Sequence, residues 1–195
     1  MPFALLVLIG CDSEKPEEVT AAPLAATEAP AVKEFDYAFM TDALHAAVEA
    51  DRTAYTRLVV NRLTLEEKVI TASEHWEDDK ALLLPAQMFR AGAELAREKN
   101  EKVNYSLLSQ WPINKQNKPK TPIEEEGLKF IAENPGENFY GEETLGDKTY
   151  FTGIYPDMAV AEACIKCHNE HVDSPRTDFE MGDVMGGVVI RVEKQ

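Results

Sequence analysis

The sequence predicts an α+β domain in which helices come first and an antiparallel sheet follows. Three observations carry that prediction. Leu44, Ala47, Val48, Tyr55, Leu58 and Val59 recur at three- and four-residue spacing, the period of a helix with one buried face. Thr121-Pro122-Ile123-Glu124 combines a capping residue, Pro at the first helical position and Glu at the third, which is a strong helix start. Two strand-like runs, Glu137 to Leu145 and Lys148 to Tyr155, meet at Gly146-Asp147, a hairpin signal, and a last apolar run from Val184 to Val192 reads as a further strand. Helices followed by antiparallel strands define the α+β class.

Taken in order, Pro2 to Ile9 is apolar and far shorter than the ~20 residues that cross a bilayer. It ends in Leu8-Ile9-Gly10-Cys11, which resembles a bacterial lipobox and implies cleavage before Cys11 and lipidation of that thiol. Residues 1–10 are therefore read as a lipoprotein signal peptide. The charged segment that ordinarily precedes such a run is missing, which points to a start codon displaced by several residues. Asp12 resembles the inner-membrane retention signal of Gram-negative lipoproteins, so the expected location is the periplasmic side of the inner membrane. Residues 11–33, rich in Ala, Pro and Glu, bury too little apolar surface to offset their ordering entropy. They are expected to form a flexible tether; residues 12–33 would reach about 70 Å when extended at ~3.3 Å per residue.

Residues 34–195 are read as one domain. The helical pattern from Phe35 has a polar break at Asp51. Thr64 to Glu67 matches a capping box, so either a second helix starts there or the first runs through. Pro85 belongs in a first helical turn, which places a helix from about Pro85 to Lys99. Val103 to Leu108 reads as a strand, and Trp111 to Pro119 as loop. The helix begun at Thr121 stops at Asn134-Pro135-Gly136, and Asn169 to Glu180 is a polar loop before the last strand.

Between the hairpin and that strand lies Cys164-Ile165-Lys166-Cys167-His168, the attachment pattern of a c-type haem. Two residues between the thiols let each reach one vinyl group of the porphyrin, and the following histidine supplies an axial iron ligand. Zinc needs four ligands, and the chain has no second Cys pair to complete such a site. A redox dithiol normally opens a helix in a thioredoxin-like unit, which the order of elements lacks. One covalent haem c is thus expected on Cys164 and Cys167, with His168 on the iron. The chain has three cysteines. With Cys11 assigned to lipid, no thiol is left for a disulfide or a nucleophile.

With 35 acidic against 20 basic residues, the net charge is −15, which excludes nucleic acid as a partner class. The late position of the haem motif separates the chain from small all-helical cytochromes c, where it lies near the N-terminus. The hairpin before it and Gly186-Gly187-Val188-Val189-Ile190 after it do not suit a four-helix cytochrome c′.

The segment Asn104 to Asn114, containing Trp111-Pro112-Ile113-Asn114, resembles the strand and Asn-Pro-x-Asn segment of bacterial extracytoplasmic c-haem domains with a PAS-like fold, long labelled a domain of unknown function. Trp111 stands where that pattern has Asn. The resemblance continues through Tyr150 to Pro156, the haem motif and Gly182 to Gly187, covering roughly residues 40–192. It implies a PAS-like antiparallel sheet preceded by helices. The family includes periplasmic sensor modules and free-standing haem proteins, and one relative uses Cys as its second iron ligand. With no spare thiol, this chain must differ there or leave the position open. Met88 is the first choice, on a helix preceding the sheet; Met158, His75 and a vacant or water-filled position remain alternatives. His171 is expected on the same side as His168, and His45 on the helix surface. Arg90 is a candidate partner for a haem propionate, though solvation is the simpler reading.

The expected function is a membrane-tethered monohaem protein that senses redox state or binds a small ligand, passing any signal to a separate protein. The alternative is a single-haem periplasmic electron carrier, whose acidic surface suits basic redox partners and whose tether raises its effective concentration near docking sites. Haem catalysis is the weakest class, since no acid–base pair stands out, although His75 keeps it open. The chain is therefore expected not to be an enzyme.

Overall fold

The computed structural model describes residues 35–159 and 162–195. The proposed signal peptide, Cys11 and the tether lie outside the described residues. Helix α1 (Tyr37–Ala54) starts at Asp36, whose carboxylate accepts from the Phe39 amide at 2.9 Å. It continues without a break into a π-helical segment, Tyr55–Glu66, ending with the Glu67 amide bonded to the Arg62 carbonyl five residues back. The first helix therefore runs through Asp51 and Thr64. No second helix starts at Thr64, because the backbone donors that a cap would satisfy are already bonded within the preceding turns.

A short parallel pair, β1 (Ala72–Ser73) and β2 (Leu82–Leu83), flanks the single-turn helix α2 (Trp76–Asp79). Helix α3 spans Pro85–Lys99, with Pro at its first turn as its ring geometry requires. Strand β3 is Val103–Leu108. Helix α4 is Pro122–Glu133, and its expected capping box forms: the Thr121 hydroxyl accepts from the Glu124 amide and the Glu124 carboxylate accepts from the Thr121 amide.

Strands β4 (Phe139–Leu145), β5 (Lys148–Met158) and β6 (Val184–Glu193) complete a four-stranded antiparallel sheet ordered β3-β6-β5-β4. β5 runs three residues beyond the expected Tyr155. β6 pairs with both β3 and β5, so almost every residue of it is buried.

Successive strand residues face opposite sides, and each side has its own core. Val184, Val189 and Ile154 meet Leu128 and Ile131 of α4. Val188, Ile190 and Tyr155 meet Phe89 of α3 and Leu44 and Val48 of α1. Fully burying one such aliphatic side chain contributes roughly 1.5–3 kcal/mol, so the two cores sandwich the sheet between α4 and the α1/α3 pair. Among the described residues no helix is long and apolar enough to cross a membrane.

Candidate functional site

The Cys-x-x-Cys-His motif lies on helix α5 (Glu162–Glu170). Glu162 to Glu170 contains neither Gly nor Pro, so nothing breaks the helical geometry. The helix brings residues three apart onto one face, so Cys164 and Cys167 stand side by side. Both are free thiols, Cys164 partly buried and Cys167 exposed. Burial, then the Glu74 carboxylate, holds the Cys167 thiol above its ordinary value.

Cys164, Ile165 and Trp111 pack onto Ala159, Phe179 and Met185. The loop after α5 is strapped to the helix by Asn169, which accepts from the Phe179 amide at 2.9 Å and donates to the Phe179 carbonyl at 3.0 Å. That places the Phe179 ring edge-on to His168, with centroids 5.9 Å apart. Phe179 also meets Trp111, and the Arg176 guanidinium lies over the Phe179 and Trp111 rings at 4.2 and 4.8 Å.

His168 is held but not satisfied: its Nδ1 is buried and has no hydrogen-bond partner among the described residues. Burial pushes the imidazole below its ordinary value, opposed by the Asp157 carboxylate. The ring is therefore kept neutral, the form in which imidazole binds metals. Two free thiols on one helical face, followed by a neutral histidine with an unpartnered nitrogen, fit a c-type haem.

Two charged residues beside the motif were not legible in the sequence. Arg52, near the end of α1, pairs with Asp157 near the end of β5 and lies 3.2 Å from Glu49. Its guanidinium stands over the Phe89 ring, 5.6 Å from the centroid. The available signal was a lone Arg in register with Thr41, His45 and Val48 on the sheet-facing side of α1.

The other candidates separate. Met158 packs into the α4-side core. His75 is exposed beside Glu74. His171 lies 3.6 Å from Glu74 and accepts from the Asp173 amide. Met88 is half-buried near the start of α3. Arg90 is exposed and engages Glu94 and Gln116. His45 is not on the helix surface: its ring stacks on Tyr155 with centroids 4.1 Å apart, because its register on α1 points it at the sheet.

A family model described as Tll0287-like matches residues 24–193. The chain belongs to the Tll0287-like family. A solved structure, "Crystal structure of the cyanobacterial heme-protein Tll0287", matches this Tll0287-like chain with a TM-score of 0.50 at 12% identity, covering 83% of this chain and 98% of that one. At that identity the likeness shows the fold. No curated protein matches the sequence.

Proposed function

We propose that the chain is a monohaem c-type protein, with haem joined to Cys164 and Cys167 and His168 on the iron. The observation that carries this reading is the α5 geometry, two free thiols on one face followed by a histidine whose buried Nδ1 has no partner among the described residues. The haem protein of similar fold supports it, as does the resemblance to PAS-like c-haem domains. Haem bound there supplies a one-electron iron centre whose sixth position determines whether a small ligand can enter.

Met88 is the proposed second ligand. The start of α3 is tied to the site by Gln87, which donates to the Glu74 carbonyl at 2.7 Å, while the Glu74 carboxylate acts on His171 and Cys167. A His/Met pair suits redox sensing or electron transfer, whereas a vacant position suits gas binding. Of these roles we favour sensing or small-ligand binding by a protein tethered through lipidated Cys11 on the extracytoplasmic side, its signal read by a separate protein. The acidic balance of −15 favours single-electron exchange with basic partners as the second reading.

The primary test is haem staining after denaturing electrophoresis of protein made in an exporting host with haem-attachment machinery. Stain should stay with the wild-type band and vanish in the Cys164→Ala/Cys167→Ala protein; an unstained wild-type band would sink the proposal. Loss in Met88→Ala of a Met-to-iron charge-transfer band, with faster CO binding by the ferrous form, is expected for Met88 ligation. An unchanged spectrum would remove Met88 from the iron.

A further inference from the structure

Two lysines outside the haem motif share an uncommon backbone conformation and one cavity. Among the described residues, Lys68 and Lys80 are the only non-glycine residues with positive φ, at 56° and 51°. Lys68 comes just after the π-helical segment and Lys80 just after α2. At such helix ends glycine ordinarily makes the left-handed turn, having no Cβ to clash. Both lysines line an open cavity of about 560 Å³ with Thr64, Val69, Ile70 and Thr71. That volume lies in the range of small-molecule sites.

Backbone bonds bring the walls together. The Val69 amide donates to the Leu63 carbonyl at 3.0 Å, folding the chain back on the end of the π-helical segment. The Leu82 amide donates to the Thr71 carbonyl at 2.8 Å, and the parallel register pairs Ala72 with Leu82, which carries Lys80 alongside Ile70. The adjacent acids are turned elsewhere. Glu67 pairs with Arg62 at 2.6 Å, and Asp79 accepts from the Ser73 hydroxyl. Among the described residues neither lysine has an ion pair, and the hydroxyls of Thr64 and Thr71 have no hydrogen bond. In a chain of net charge −15, carboxylates to pair with are plentiful, yet this cavity keeps two ammonium groups and two hydroxyls unspent.

We propose that this cavity binds a small dicarboxylate, one carboxylate at each ammonium group. The Thr64 and Thr71 hydroxyls donate to the same oxygens, and the methylenes of the ligand rest on Val69 and Ile70. A lysine is a compact point charge with three donors, so two lysines on separate segments suit two separated carboxylates. The apolar Val69 and Ile70 suit a carbon chain better than the hydrated oxygens of a phosphate. This site stands independently of the haem reading above.

The test is isothermal titration calorimetry of the full chain with malonate, succinate and glutarate, against acetate and phosphate. At least one dicarboxylate should bind saturably, with acetate and phosphate weaker by about tenfold or more. Lys68→Gly and Lys80→Gly separate the ammonium group from the backbone, since glycine takes positive φ without a clash. Each should weaken binding by about tenfold or more, while the denaturant unfolding midpoint holds or rises. No saturable binding of any of the three, phosphate binding as tightly as the best of them, or unchanged affinity in either glycine variant would overturn the inference. If a glycine variant unfolds more easily, Thr71→Val decides: weaker binding supports the site, and unchanged binding overturns it. The Cys164→Ala/Cys167→Ala chain should bind as wild type does. Binding seen only in that chain would assign the cavity to haem carboxylates and overturn the free ligand.

Discussion

Two regions of the sheet treat buried polar atoms in opposite ways. On the α4 side, Arg191 of β6 donates to Glu124 of α4 and to Glu143 of β4, each at 2.6 Å. Thr152 adds a bond to the same Glu143 oxygen. Glu143 Oε2 has no partner, but its carboxylate is already charge-paired. At the α5 end, His168 Nδ1 has neither a hydrogen bond nor a charge partner in contact among the described residues. The first region is closed by its own side chains, while the second leaves a buried nitrogen unspent. Each unsatisfied group in a native fold calls for an explanation.

The largest expected effect breaks the closed region. Arg191→Met leaves two carboxylates buried without their cation, which costs about 3–5 kcal/mol; denaturant unfolding of the haem-free protein measures it. A loss below about 1 kcal/mol would mean that the cluster behaves as a surface pair. Next is the floor beneath the open end, where Ser109 donates to the Met185 carbonyl at 2.6 Å. A methyl group on Gly186 would lie 2.6 Å from the Leu108 carbonyl oxygen, which is backbone and cannot swing aside. Gly186→Ala should cost about 1–3 kcal/mol, showing that the open end is loose in its side chains and tight in its backbone.

A smaller effect follows from His45. Burial against Tyr155, then the Arg52 charge, lowers its pKa from 6.5. The unfolded chain then takes up the proton more readily, so stability is full above 6.5 and declines as pH falls from there toward the lowered folded value. His45→Phe should flatten that decline in unfolding midpoints measured against pH; an equally steep profile would place its origin elsewhere. The smallest effect is at the motif. In haem-free protein, His168→Ala should change stability by no more than about 0.5 kcal/mol, because no hydrogen bond is lost. A large loss would show that the fold, rather than a ligand, uses this ring.

The same contrast explains what was readable in the sequence. Thr121, Pro122 and Glu124 form their cap from local residues, and Val103–Leu108 follows its own strand pattern. The motif's spacing is likewise local, so the sequence alone brings its two thiols and histidine together. His45 was not, since Tyr155, the residue that buries it, is remote in sequence. Arg191, Glu124 and Glu143 are likewise joined only by folding, as are Arg52 and Asp157. Local periodicity showed neither those ion pairs nor the change from α- to π-helical bonding at Tyr55, whose hydroxyl bonds the Leu83 carbonyl at 2.9 Å.

Strand β6 lies between β3 and β5, yet it follows α5 in the chain. During synthesis the two thiols therefore emerge before the strand that unites the sheet. Until β6 inserts, Met185 cannot cover the Cys164 side of α5, and His168 lacks its finished surroundings. Topology thus builds an interval of access into biogenesis: the Cys164 side of α5 stands open until closure of the sheet covers it.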